Sequence, residues 1–319
     1  MVGRISPLTD WGPPFYRNRV LEGDGTVVRW HWDRGLQVRM VITVLLLAAV
    51  YLLFIGFLAT LGVGTLLILA IVAMALLVQY FFSDRMVLSS MGARIVSEAE
   101  EPHLYQVLTR LCSISGMPRP GLAIVNSNIP NAFATGRSPS RSVVAVTTGL
   151  LKTLNQDELE AVIAHELSHV RNRDVMVITL AAFLSTVAFT IFRSWFLFGG
   201  GGDREGKETT LALLPLVAAL VWAVSYLLIQ ALSRYREFSA DRGSAVMTGR
   251  PSHLASALSK ISGLMDRVPT RDLREVEGMN AFFIIPAISG SSIFNLFATH
   301  PPVEARIAAL ARIEQEMED

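Results

Sequence analysis

An α+β domain interrupted by transmembrane helices is the fold class predicted by this sequence of 319 residues, and three observations predict it. First, uncharged apolar runs occupy residues 40–58, 62–82, 175–192 and 211–232, and a run of that length can cross about 30 Å of hydrocarbon. Second, residues 156–170 carry apolar side chains at helical spacing behind a helix-start signal. Third, short β-branched runs separated by turn residues fill much of the stretch between the second apolar run and that helix. Composition agrees, since 51% hydrophobic residues is too apolar for an ordinary soluble domain. A net charge of +1 offers no polyelectrolyte case for nucleic acid. The single Cys112 excludes an intramolecular disulfide and any Cys-based zinc cluster.

Taken in order, residues 1–39 mix Pro, Gly and aromatic side chains and read as a flexible leader, its Trp and Arg residues suited to a membrane interface. It is not a signal peptide, because the apolar run begins too late. Residues 40–82 read as a transmembrane hairpin with a tight turn at Ala59-Thr60-Leu61. Pro102 then opens an amphipathic helix through Leu104, Val107, Leu108 and Leu111, which Pro118, Pro120 and Gly121 stop. Strands are expected at Leu122–Val125, Ala132–Thr135 and Ser142–Thr147. Asn155 is an N-cap with Glu158 positioned to complete a capping box, so a helix should run from about Gln156 to Val170. Residues 175–232 read as a second transmembrane hairpin, closed by a polar Gly-rich loop, with Pro215 tolerable as a kink. Phe282–Ala298 is apolar but broken by Pro286 and Gly290, hence a buried segment or a flap rather than a span. A structural amphipathic helix closes the chain from Ala305 to Met317.

The helix at 156–170 contains His165-Glu166-Leu167-Ser168-His169. Two histidines four residues apart project from one helix face, so both imidazoles can reach one metal ion, with the Glu beside it as a base for water. This is the H-E-x-x-H pattern of zinc peptidases, which makes a zincin-like metallopeptidase domain the expected α+β core. A catalytic zinc needs a third protein ligand and an open fourth position. The metzincin solution is absent, because Asn172 and Val175 stand where its Gly and third His would be. Beyond the fourth apolar run, Glu237 and Asp241 share a helical face; one can bind metal while the other holds a ligand His through its second ring nitrogen. An even number of intervening spans returns both acids to the side of His165 and His169. A strand before such a helix often lines the cleft, where substrate adds to its edge by main-chain hydrogen bonds.

Basic residues flank the runs on one side: Arg29, Arg34 and Arg39, then Arg85 and Arg94, then Arg171 and Arg173, then Arg234, Arg236 and Arg242. The Gly199–Thr210 loop is net negative, with Asp203, Glu205 and Glu208 against Arg204 and Lys207. The positive-inside rule therefore puts both termini and the site in the cytoplasm, in a multi-pass plasma (inner) membrane protein.

Several blocks occur in a fixed order: Asn131–Gly136, Thr148–Leu151, Asp157–Glu160, His165–Val170, Glu237–Asp241 and Thr299–Glu304. Together, from about Met40 to Arg312, they resemble the HtpX membrane zinc endopeptidases and, more distantly, the CAAX prenyl proteases. The resemblance implies one Zn2+ per chain held by His165, His169 and Glu237, with Glu166 as general base and Asp241 behind a ligand. It implies that the edge of the Asn131, Ala132, Phe133 and Ala134 strand binds substrate, and that His300 and Arg306 lie near the oxyanion. It also implies substrates among misfolded or damaged membrane proteins and a quality-control role. The leader is a departure, since relatives begin near their first span. The peptidase domain is then split into residues 83–174 and 233–319 around the second hairpin. A non-catalytic scaffold would tolerate loss of Glu166 or a ligand, yet all are present. A transporter would carry ionisable groups inside its spans, where only Arg193 qualifies. A CAAX-type enzyme would have more spans than four.

Overall fold

The structure, a computed structural model, describes residues 19–21, 27–29, 34–60, 65–198, 213–265 and 300–318. Most of the leader, the polar loop of the second hairpin and the Phe282–Ala298 segment lie outside the described residues. Two units are distinct, residues 1–32 and 33–319. In the first, β1 (Arg19–Leu21) pairs antiparallel with β2 (Val27–Arg29). The second unit begins with helix α1 at Arg34, earlier than the uncharged run alone suggests.

Helices α1 (Arg34–Thr60), α2 (Thr65–Ser90), α6 (Asp174–Phe198) and α7 (Leu214–Thr248) hold all of the first and third apolar runs and most of the second and fourth. Among the described residues α1 and α7 are each long and apolar enough to cross a membrane, and the bent α6 makes a third if its two halves form one span. Leu47, Tyr51, Phe54 and Leu58 of α1 pack against Ala181, Val187 and Ala188 of α6 and Ala218, Val221 and Leu232 of α7. On the outside the same helices expose Leu45, Leu52, Leu53, Leu180, Leu216 and Leu220. Apolar residues on both the packed and the outward face are what a helix in lipid requires. α6 bends by 41° between its halves Asp174–Phe183 and Ser185–Arg193. Near the bend the Tyr51 hydroxyl donates to the Ala181 carbonyl, so a polar side chain from α1 serves the backbone there. Pro215 sits in the first turn of α7, where its missing N–H costs nothing, and it starts that helix instead of kinking it.

The remaining elements form a mixed sheet and a helical layer. The strand order is β3–β4–β6–β5, for β3 (Ala93–Val96), β4 (Gly121–Val125), β5 (Ala132–Thr135) and β6 (Val143–Thr147). β4 and β6 are parallel, while β3 and β5 pair antiparallel at the two edges. Alternation sorts their side chains: Leu122, Ala132, Val144 and Val146 join the main core. Ala123, Val125, Phe133 and Ala145 pack with Val87, near the end of α2.

The main core is completed by α3 (Pro102–Ser115), α5 (Gln156–Arg171), α8 (Pro251–Met265) and α9 (Val303–Glu318). Pro102 occupies the first turn of α3, and Gly116 ends it in a left-handed conformation with φ 64°. The short α4 (Thr148–Thr153) is capped by Thr147, whose hydroxyl accepts from the Leu150 N–H. α5 has both halves of the capping box, Asn155 with the Glu158 N–H and Glu158 with the Asn155 N–H. The Glu158 carboxylate also accepts from Ser256 and Lys260, which ties the start of α5 to α8.

α7 runs unbroken for 35 residues, or about 52 Å at the usual rise, through the expected boundary at 232/233. Its apolar half belongs to the bundle; its other half packs on α5. In that half the small residues Ala240, Gly243, Ser244 and Ala245 are all buried. Ser244 donates to the Ala161 carbonyl of α5 at 2.6 Å, which holds the two helices close.

Candidate metal centre

Two helices deliver the metal-ligand candidates. On α5, His165 and His169 stand one turn apart with their rings perpendicular and 4.7 Å between centroids. α7 brings Glu237 onto the same point, as expected from its close packing on α5. The Nε2 atoms of His165 and His169 lie 3.2 Å apart. Glu237 Oε2 lies 3.5 Å from the His165 Nε2, and its other oxygen, Oε1, lies 3.4 Å from the His169 Nε2. Zinc–ligand bonds of about 2.0–2.1 Å in a tetrahedron set neighbouring ligand atoms about 3.3–3.4 Å apart. The three residues therefore fit a zinc ion, each offering one ligand atom within 4.8 Å of the other two. Glu237 Oε2 is buried without a hydrogen bond, a costly state that a cation relieves.

Each imidazole is held from behind by a carboxylate. His165 Nδ1 is 3.0 Å from Asp241, so of the two acids on α7 it is Glu237 that faces Nε2 and Asp241 that faces Nδ1. His169 Nδ1 is 2.5 Å from Asp174, the first residue of α6. Both carboxylates are in turn held by arginine. Arg306 of α9 grips Asp241 with two bonds, from Nε at 2.9 Å and Nη2 at 2.6 Å. Arg236 reaches Asp174 at 2.9 Å. Two parallel Arg–Asp–His relays thus aim the two imidazoles, the arrangement by which carboxylates fix tautomer and ring direction at metal sites. Reading the sequence missed Asp174 and Arg236. Asp174 was visible only as the residue before an apolar run, and Arg236 only as one of the basic residues flanking the fourth. The available signal was an acid one turn beyond the second His, at a helix start.

Burial would lower the His165 pKa, but the hydrogen bonds to Asp241 and Glu237 win and push it up to about 9. Without metal, a proton on His165 supplies the positive charge that the surrounding acids demand. Glu166 is 5% exposed. Burial raises its pKa, opposed by His165, His169 and a backbone hydrogen bond from Ala134. A carboxyl with a raised pKa inside a cleft is suited to carrying a proton in both directions.

The outer candidates fall as follows. His300, just before α9, is buried, with Nδ1 3.3 Å from Glu237 Oε2 but without hydrogen-bond geometry. Arg306 is 1% exposed, committed to Asp241, with Nη1 3.5 Å from Glu237. It reaches the site, but mainly as a brace for Asp241. On the expected substrate strand, Asn131, Ala132 and Phe133 are buried and Ala134 is half-buried. These side chains serve the core, so the strand offers its main chain rather than its side chains. β5 pairs only with β6 among the described strands and leaves its other edge unpaired by them. That strand also packs on α5. Finally, α5 passes into α6 through Asn172 and Arg173 alone, Arg173 taking a φ of 54°. The site therefore lies within about two turns of the apolar run that starts at Val175.

The model of peptidase family M48 matches residues 98–314. Over 290 residues the chain is 59% identical to protease HtpX homolog 2 of Methanosarcina acetivorans, a match covering 91% of this chain and 99% of that one. Over 291 residues it is 56% identical to the HtpX homolog of Moorella thermoacetica, covering 90% and 97%. The crystal structure of Ste24p from S. mikatae is similar with a TM-score of 0.51 and 18% identity, covering 86% of this chain and 66% of that one. That last likeness is one of fold.

Proposed function

Since the chain belongs to peptidase family M48 and is a membrane metalloprotease of the HtpX type, we propose that it hydrolyses peptide bonds of misfolded or damaged membrane proteins. The cofactor is one zinc ion held by His165, His169 and Glu237. The observation that carries this reading is the convergence of two Nε2 atoms 3.2 Å apart on one buried carboxylate, whose two oxygens lie 3.5 Å and 3.4 Å from them. When bound there, zinc supplies a Lewis acid for the scissile carbonyl and lowers the pKa of water towards about 7.

The chain's own residues do the rest. Glu166 takes the proton from the attacking water and later returns it to the leaving amine. Asp241 and Asp174 keep the Nε2 lone pairs of His165 and His169 aimed at the metal. The outer edge of β5 aligns an extended substrate by main-chain hydrogen bonds. His300 lies beside the reacting carbonyl, and Arg306 holds Asp241 in place.

The substrate class follows from position: a site within about two turns of a spanning segment meets membrane proteins and the loops next to their spans. Four spans by α1, α2, α6 and α7, with both termini and the site in the cytoplasm, agree with the arginines at the helix ends.

The test is cleavage of an unfolded membrane protein by the chain, purified in detergent with a chelator and then given zinc. Wild type should cleave; Glu166→Gln should bind one zinc and lose about 10²–10⁴-fold in rate. Full activity in the Gln variant would remove Glu166 from its role. Absence of zinc binding by the wild type would overturn the whole reading.

A further inference from the structure

Away from the metal centre, α1, α7 and α9 enclose a cleft of about 310 Å³. Three arginines from three distant parts of the chain line it: Arg39 of α1, Arg242 of α7 and Arg312 of α9. Glu316 is the one acid in the lining, and it pairs with Arg242 at 3.0 Å. Among the described residues no carboxylate lies within ion-pair distance of Arg39 or Arg312. The cleft thus holds an excess of two positive charges, beside apolar walls that include Phe238 and Ile313.

Its height on the molecule is informative. Arg39 immediately precedes the uncharged run of α1, and Phe238 lies six residues beyond Leu232, where the apolar half of α7 ends. The cleft therefore opens at the water end of the apolar bundle, at headgroup level if α1 and α7 cross the bilayer. An arginine fork binds phosphate oxygens in pairs, and a basic residue near an anionic membrane surface is attracted to it.

We propose that this cleft binds the phosphate of an anionic phospholipid headgroup, with Arg39 and Arg312 as its main donors and the acyl chain leaving along the exposed side of α1. Such a lipid bridges α1 to α9, the helix whose Arg306 braces Asp241. It ties the membrane bundle to the metal centre. The inference rests on the reading that α1 and α7 span the bilayer.

The experiment is native mass spectrometry of the full, zinc-loaded chain in mild detergent, titrated with phosphatidylglycerol or phosphatidylcholine. The wild type should take up one phosphatidylglycerol about tenfold more tightly than phosphatidylcholine. In the Arg39→Gln, Arg312→Gln double variant that preference should vanish with zinc still at one per chain. The charge-matched Arg94→Gln, Arg119→Gln variant should keep it. Equal uptake of both lipids by wild type, or an unchanged preference in the first variant, would overturn the site. Glycerol phosphate competing as well as the intact lipid would show an anion site without a lipid. Carbonate washing of membranes tests the premise separately: if the chain washes off, the spanning reading fails. If it stays and the preference is missing, the inference alone fails.

Discussion

At the scale of single residues, the centre is an exercise in aiming two imidazoles. Nitrogen lone pairs must converge on one point, and a free histidine ring rotates. Asp241 and Asp174 remove that freedom, each backed by an arginine. Asp174→Asn keeps the shape but weakens the acceptor, so zinc affinity should fall about 10–100-fold in a chelator competition, and the metal-free protein should melt lower as well, because Arg236 loses its buried counter-charge. Protonation gives a second prediction. In the metal-free chain His165 is raised to about 9 from an ordinary 6.5, so its charged form adds stability fully below pH 6.5, lost as pH rises through 9. Zinc must displace that proton. Its apparent affinity should therefore climb about tenfold per pH unit up to about pH 9 and flatten above, measured by competition titration across that range. A flat profile from pH 7 to 9 would mean that His165 is already neutral.

Among elements, α5 is the one on which everything else is set, and its start is fixed twice. Asn155 and Glu158 close the capping box, and Glu158 adds Ser256 and Lys260 of α8. Removing the cap with Asn155→Ala should cost about 1 kcal/mol, read as a lowered midpoint of thermal unfolding in detergent. Glu158→Ala should cost more, because it also leaves Ser256 and Lys260 without their shared acceptor. Equal losses in the two variants would assign Glu158 to the cap alone. β5 illustrates a different economy: its side chains are used up by the core on both faces of the sheet, and its remaining resource is a main-chain edge with which no other described strand pairs.

For the molecule as a whole, α7 is the connection between the membrane bundle and the metal centre. One helix carries Leu232 in the apolar core and Glu237 at the site, with no hinge between them. A rigid helix transmits rotation. Inserting one alanine between Leu232 and Ser233 turns everything beyond it by about 100° relative to the bundle. Zinc content of the purified protein should then drop far below one per chain, while the chain stays in the membrane fraction. Retained zinc would show that α7 unwinds locally to absorb the insertion.

Much of this was legible in the residues alone, because it depends on local periodicity. An i, i+4 pair of histidines shares a helix face whatever surrounds it, Asn155 with Glu158 marks a helix start, and uncharged runs of about twenty residues need lipid or a large core. Ala132–Thr135 was readable as a strand for the same reason. What only the folded chain decided is which distant groups meet. Asp174 and Arg236 are unremarkable in sequence, and they matter because α6 and α7 return to the end of α5. The choice between Glu237 and Asp241 as the group facing the metal point was likewise open until α7 was packed on α5. Burial of Ala240, Gly243, Ser244 and Ala245 sets how closely and at what rotation the two helices meet. Secondary structure follows from neighbours along the chain, but a site is a coincidence of side chains from separate elements, and its geometry is set by packing.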